Sequence, residues 1–599
     1  MKAVYNDSSV PEKEAKARYF FPENIMMENA ASALEREIDG FFGNDSACKD
    51  DFYSADNFES KNVYTRHPNH AKSILILCGN GNNGGDGLAL ARRIYGKYDV
   101  KVILISAPKT DEAKTQLKMA QAVGVEIQDL QQFEQITNPE QNTLKKSDEP
   151  FVNPVFVPGV IVDCIFGTGF HGELPANIKS LLEKINESPD YKSAYKIACD
   201  IPSALYFKAD VTVTMGALKS ILFSDKAKDV TGKIKVADLG INSSIFEKCA
   251  VPDAFLIEEI DAKFPLRTKK SAHKGTYGHT AVFAGEKSGA AIIAAESALA
   301  FGSGLTTLVK SERSNLEQFK ITPELMISDS IPKTTTAILL GPGLGTPDKK
   351  TLDAIKEWFK AGTDKAKTQT HAHTATDNSD SNTSANQTSR ALVLDADMLS
   401  YPKIVDFLKE LCEPCSTQTP SETLFSAPEQ TPCSTSTSTR IILTPHPKEL
   451  ATLYSALGLG NYTAVQAAQN RFEIAEKIIQ KFPQLTLIMK SANTIIAQKS
   501  PETNAADFST TTKKSRKPTK TSGADFYIVA EGTPALAKGG SGDVLAGMTA
   551  SLLAQGYSAK DAAITAVYAH AIASTNFSRG MGWNLSPQAL IGQISALTK

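Results

Sequence analysis

Neither charge sign dominates this chain of 599 residues: 64 Lys and Arg stand against 66 Asp and Glu, a net charge of −2. Without a basic excess, nucleic acid is excluded as the main partner. Long apolar runs are missing too. The most membrane-like stretch, Gly289 to Val309, is interrupted by Glu296, Gly302 and Gly304. It reads as a buried helix, a turn and a strand, so no membrane partner is expected. The first residues carry no apolar signal core. The eight cysteines show no regular disulfide spacing. Cys78, Cys164 and Cys199 fall in strand-like runs, where a reduced core thiol is the default, and a cytoplasmic setting is expected. Cys412, Cys415 and Cys433 offer three zinc ligands, but no fourth has suitable spacing. What is present is a 41% hydrophobic composition, at a length that predicts two or three domains. Segments near 364–390, 415–440 and 500–523 are rich in Thr, Ser, Asn and Lys and lack apolar periodicity, so they are expected as disordered surface inserts.

The most informative stretch is Ala537-Lys538-Gly539-Gly540-Ser541-Gly542-Asp543-Val544. Val544, Met548 and Leu552 recur at helical spacing, so the glycine loop opens a helix. Free N–H groups and a partial positive charge there form a seat for a phosphate. Asp543 stands at its edge, where it can take a proton from a hydroxyl that attacks the phosphate. The structural alternative is a tight turn with an N-capping acid. Upstream lie Gly341-Pro342-Gly343-Leu344-Gly345, Asp395-Ala396-Asp397, Pro445-His446-Pro447 and Lys490-Ser491-Ala492-Asn493-Thr494, each after a short apolar run. Buried strands with such ends predict a parallel sheet with its site at the carboxyl edge. Asp395 and Asp397 would position a metal–phosphate complex or cap the next helix, and capping is favoured for at least one.

The N-terminal half has a strand, Ser73–Cys78, then Gly79-Asn80-Gly81-Asn82-Asn83-Gly84-Gly85-Asp86-Gly87, then a helix through Leu88, Leu90 and Ile94. Strand, glycine loop and helix suit a pyrophosphate, although asparagines interrupt the usual dinucleotide fingerprint. Two further strand ends follow, Asp163-Cys164-Ile165-Phe166-Gly167-Thr168-Gly169 and Asp200-Ile201-Pro202-Ser203.

In this order the C-terminal motifs, with His273 to His279 as an opening, resemble the carbohydrate-kinase-like NAD(P)H-hydrate dehydratases. The N-terminal motifs, with Met26 to Ala31, resemble the NAD(P)H-hydrate epimerases. Together the halves resemble the bifunctional repair family that acts on hydrated NAD(P)H. The resemblance implies an α/β protein: a Rossmann-like three-layer epimerase domain at 1–245 and a ribokinase-like dehydratase domain at 265–599. The substrates would be NADHX and NADPHX, with ADP as phosphoryl donor and Mg2+ alongside it. A homo-oligomer is open, since no interface signature is visible.

By the same resemblance, Asp543 is the dehydratase base and touches substrate. Ala290, Gly343 and His446 line the hydrate pocket. Lys490, Ser491, Ala492, Asn493, Thr494 and Gly542 bind nucleotide. In the epimerase half, substrate would meet Asn82, Asn83, Gly84, Gly85, Asp86, then Gly167, Thr168, Gly169, Phe170, His171, Gly172, Glu173, and Asp200. Asn83, Asp163 and Ser203 match a K+ site, and their oxygens suit a hard monovalent cation. Asp163 is the candidate for acid–base chemistry and Asp200 its competitor. One departure bears on this half: Ala204 follows Ser203 where the family usually has glycine, and alanine resists φ > 0. Ser491 and Thr533 replace the usual Gly and Asn. The alternative reading is a vitamin or sugar kinase of the same fold with a non-catalytic N-terminal ligand-binding module.

Overall fold

The computed structural model describes residues 1–43, 72–137, 156–370, 390–412, 440–501 and 523–598. The inserts near 364–390, 415–440 and 500–523, with Cys415 and Cys433, lie largely or wholly outside these. The chain divides into two compact units: residues 3–253, and residues 1–2 with the described residues from 254 onward.

The first unit is built on strands β1 (Ser73–Cys78), β2 (Asp99–Leu104), β3 (Glu126–Asp129), β4 (Val160–Cys164), β5 (Tyr195–Cys199), β6 (Val211–Met215) and β7 (Lys233–Ala237). They form a parallel sheet in the order β3-β2-β1-β4-β5-β6-β7. The central strands are apolar throughout because both faces are covered. Ile74, Ile76 and Cys78 pack in one cluster with residues of helices α2 (Glu23–Phe42) and α3 (Asn82–Ile94). Leu75 and Leu77 pack in another with Leu181 and Leu182 of α4 (Ala176–Glu187). The result is the expected three layers. Helix α1 (Ser9–Tyr19) precedes α2. The chain builds outward from β1 to β3, then returns to place β4 on the other side of β1. That reversal opens a crevice at the carboxyl ends of β1 and β4.

The second unit contains β8 (Ala254–Leu256), β9 (His279–Ala284), β10 (Leu305–Lys310), β11 (Met326–Ser328), β12 (Ala337–Leu340), β13 (Ala391–Leu394), β14 (Arg440–Leu443), β15 (Leu485–Met489), β16 (Thr494–Lys499) and β17 (Ala524–Val529). Their order is β11-β10-β9-β12-β13-β14-β15-β16-β17-β8. All neighbours are parallel except β16, which runs antiparallel to β15 and β17. One sheet face shares a core with α5 (Ser288–Ala300), α8 (Ser541–Ala554) and α9 (Ala559–Met581). Helices α5 and α8 touch backbone to backbone: a Cβ on Gly547 would lie 2.1 Å from the Ala294 carbonyl oxygen. Gly285, Gly341, Asp395, Thr444 and Lys490 follow β9, β12, β13, β14 and β15 directly, so the strand-end motifs gather at one sheet edge. No helix among the described residues is long and apolar enough to cross a membrane.

Candidate active sites

In the second unit the glycine loop opens a helix, as its spacing predicts. Gly540 precedes α8 with φ +92°, and Ser541, Gly542 and Asp543 make its first turn. Lys490 comes from the neighbouring strand end. Its Nζ lies 2.8 Å from Asp395 Oδ1 and 3.4 Å from where a Gly542 Cβ would be. Asp395 is 1% exposed. Its Oδ1 also accepts the Thr444 hydroxyl at 2.6 Å. Asp397 accepts the Gly345 N–H at 2.8 Å, tying the loop after β12 to that after β13. Side-chain capping, favoured for at least one of this pair, is absent: Asp395 sits at the N-cap of a short 3-10 turn without capping it. The lysine and the neighbouring loop hold the two carboxylates instead.

Burial pushes the Asp543 carboxyl up to about 7; Asp395 adds to this, Lys490 opposes it, and Asp397 and Glu449 add further. Glu449 is also pushed up to about 7, first by burial. Burial works to lower Lys490, but Asp395 and Glu449 outweigh it and raise its pKa. The site therefore keeps an ammonium beside carboxyl groups that are partly protonated near neutrality.

His446 caps α6 (Pro447–Ala456). Its Nδ1 accepts the Lys448 and Glu449 N–H groups at 3.2 and 3.3 Å, and Glu449 Oε2 accepts the His446 N–H at 2.8 Å. An accepting Nδ1 fixes the proton on Nε2, which lies 3.3 Å from Glu449 Oε1. So this histidine is a structural cap, and its half-exposed ring remains beside the acidic cluster. Gly343 and the start of α5 meet at the β9/β12 reversal: Lys287 N–H donates to the Gly343 carbonyl at 2.8 Å, and Ala290 lies one turn on. The turn from Lys490 to Thr494 is fastened by the buried Arg471 of α7 (Arg471–Lys481), which donates to the Asn493 carbonyl. Glu449 and Arg471 escaped the sequence reading. Glu449 had a visible signal, the spacing of a capping box after His446; Arg471 looks like any surface helix residue.

In the first unit a cavity of about 620 Å³ opens at the β1/β4 reversal. Of the expected substrate residues, Asn82, Asn83, Asp86, Gly167, Thr168, Gly169, Phe170 and Asp200 line it. Gly84 and Gly85 are buried in the first turn of α3, and His171, Gly172 and Glu173 are exposed outside the lining. Gly84 is required by close approach, since a Cβ there would sit 2.0 Å from the Gly79 carbonyl oxygen. Asp86 is held well above the usual carboxylate range by burial and by the negative charge of Asp200.

Asp163 and Ser203 lie beneath this wall, both at 0% exposure. Asp163 Oδ1 accepts from the Ser203 hydroxyl (2.6 Å) and the Ile165 N–H (3.1 Å); Oδ2 accepts the Ser203 N–H (2.8 Å). Burial raises its pKa to about 6, against these hydrogen bonds. Asn83 is different. Both polar atoms of its side chain are buried with no hydrogen-bond partner among the described residues. A buried amide without partners is costly, and its oxygen is free for a cation. No cluster of three or more His, Cys, Asp or Glu suited to a metal occurs among the described residues.

Ala204 adopts the left-handed conformation after all, at φ +55°, and Leu205 follows at φ +51°. The turn keeps the shape a glycine would favour. The residues that sequence reading missed here are Lys219 on the wall and the α1 and α2 side chains Glu12, Lys13, Lys16 and Glu23. Lys219 had one signal, a lone charge inside the apolar run from Val211 to Phe223.

Comparison with known proteins matches both halves of the chain. Residues 23–221 match the family model described as YjeF-related protein N-terminus. Residues 280–364 and 510–596 match that described as NAD(P)H-hydrate dehydratase. The bifunctional NAD(P)H-hydrate repair enzyme Nnr of Helicobacter pylori is 32% identical over 607 residues, covering 100% of both chains. The enzyme of that name from Coxiella burnetii is 29% identical, over 86% of this chain and 87% of its own. Among solved structures, an ADP/ATP-dependent NAD(P)H-hydrate dehydratase from Bacillus subtilis, co-crystallized with ATP/Mg2+, aligns with TM-score 0.37 and 21% identity over 58% of this chain and 98% of its own. Matched along its whole length, the chain belongs to the family of bifunctional NAD(P)H-hydrate repair enzymes.

Proposed function

We propose that this chain repairs hydrated NAD(P)H in two steps, with residues 1–245 interconverting R- and S-NAD(P)HX and residues 265–599 dehydrating the S form with ADP as phosphoryl donor. The observation that carries the dehydratase reading is Asp543 on the first turn of α8, within the field of Lys490, Asp395 and Glu449. Its carboxylate takes the proton of the substrate hydroxyl as that oxygen attacks the β-phosphorus of ADP, and AMP leaves. The phosphate ester then loses inorganic phosphate together with a ring proton, and the double bond of NAD(P)H is restored. The N–H groups at the start of α8 and the Lys490 ammonium stabilise the charge on the transferring group. Asp395, Asp397 and Glu449 do not by themselves form a metal cluster; Mg2+ would arrive with the nucleotide and neutralise phosphate charge. Ala290, Gly343 and His446 would bound the hydrate pocket.

In the epimerase half, the unpartnered Asn83 amide supports a K+ site formed with Asp163 and Ser203, where the ion would screen substrate phosphates. Asp163 is then committed to the cradle. Asp200, on the cavity wall, takes over the acid–base role first expected of Asp163. The test is absorbance in the reduced-nicotinamide band after adding the full chain to mixed R- and S-NADHX with ADP and Mg2+. Conversion of the whole mixture is expected. A rise that stops when only the S form is spent would remove the epimerase half of the proposal. No rise with either ADP or ATP would overturn the dehydratase and leave a small-molecule kinase.

A further inference from the structure

Lys219 is a buried cation that nothing in the reaction yet uses. Its side chain is 2% exposed, yet it lines the cavity of the first unit beside Asp200. Nζ lies 2.7 Å from Asp200 Oδ1. It also lies 2.8 Å from Thr214 Oγ1, 3.0 Å from the Met215 carbonyl and 3.2 Å from the Ala217 carbonyl. An ammonium has three hydrogens and no lone pair. Four acceptors, two of them carbonyls, use all three, so Lys219 has no proton to give a substrate and nothing with which to take one.

Asp200 is fixed unusually firmly. It is a non-glycine residue with φ +69°, a conformation that persists only when its surroundings impose it. Oδ1 accepts both the Lys219 ammonium and the Met215 N–H at 3.1 Å. Oδ2 has no donor among the described residues. It lies 3.0 Å from the point where a Cβ on Gly167 would be, so the missing side chain leaves this oxygen open toward the Gly167–Phe170 loop, which lines the same cavity.

We propose that Lys219 is a positioning residue for epimerisation: it clamps Asp200 Oδ1 and leaves Oδ2 as the acceptor for the substrate's reacting hydroxyl. The inference rests on the epimerase reading above. The other charged groups facing the cavity are Asp86 from α3, Glu12, Lys13 and Lys16 from α1, and Glu23 from α2. Asp86 itself senses Asp200. Replacing the ammonium with an apolar group removes the contact that holds Oδ1 and leaves the Asp200 carboxylate buried without its counter-charge.

The test measures kcat and KM for epimerisation by the full chain in Lys219→Met, Lys219→Arg and the double variant Asp200→Asn/Lys219→Met, with thermal unfolding alongside. Lys219→Met is expected to lose about 100-fold in kcat, the scale of a misplaced reacting group, with KM near the parent's. Lys219→Arg should keep the parent's KM but lose kcat. The double variant should regain thermal stability without activity. Parent kcat in Lys219→Met would overturn the proposal. If that variant does not fold, parent kcat in folded Lys219→Arg would overturn it equally. A parent chain that fails to epimerise at all sinks the epimerase reading instead.

Discussion

A carboxyl group half-buried among other carboxylates holds its proton to higher pH than a free one. Asp543 is in that position, at about 7. A base works only when deprotonated, so dehydration should rise with pH through about 7 and level off above it. Glu449 titrates in the same range, so kcat/KM against pH will report the pair rather than either residue. Asp543→Asn keeps the shape and removes the base. Dehydration should fall about 100- to 10,000-fold while epimerisation in the same preparation continues; a fall under tenfold would deny Asp543 its role. The strained alanine gives a second prediction. Left-handed backbone costs a non-glycine residue roughly 1–2 kcal/mol, so Ala204→Gly, at φ +55°, should stabilise the first unit by about 1 kcal/mol. Calorimetry on the full chain would detect it, and a lower unfolding temperature would show that the strain is illusory. At this scale the sequence was readable where a residue type is chemically specific, as with Asp543 in its glycine frame. It was opaque for Lys219 and Arg471, whose partners are mostly backbone carbonyls, a group that every residue carries and no residue type marks.

Helix α6 shows how an element constrains a site residue. Its capping box joins His446 and Glu449 reciprocally, so any change at His446 mixes a structural loss with a functional one. Two substitutions separate them. His446→Ala should cost roughly 1 kcal/mol of stability, the usual value of an N-cap. His446→Asn supplies another good cap and should hold stability close to the parent while raising KM for the hydrate. Equal KM in the Asn variant and the parent would make His446 a cap only. Strand and helix identities were largely legible, because buried parallel strands appear as unbroken apolar runs such as Ile441–Leu443 and end in glycine or acid. The reversed direction of β16 departs from the expected parallel sheet because the four residues Lys490–Asn493 leave no room for the crossover a parallel strand needs.

The two-unit organisation follows from two phosphate-type loops, each after its own strand, and the length leaves room for inserts between motifs. The segment 502–522 offers the sharpest test of how little the site depends on them. Its flanks are already joined: Lys499 on β16 pairs with Ala524 on β17 in antiparallel register, and the Ser500 N–H donates to the Gly523 carbonyl at 3.0 Å. Antiparallel strands need only a two-residue turn to connect them. Replacing residues 502–522 by Asn-Gly therefore leaves β16, β17 and the Lys490–Thr494 turn with the same hydrogen-bonded frame. Loop closure costs about 0.6 kcal/mol per doubling of length, so shortening by a little over three doublings should stabilise the unit by about 2 kcal/mol. Dehydratase kcat should stay near the parent value, because every proposed site residue lies outside the excised stretch. A shortened chain that unfolds earlier, or one that stays folded but loses dehydration, would show that the insert contributes structure or substrate contacts of its own.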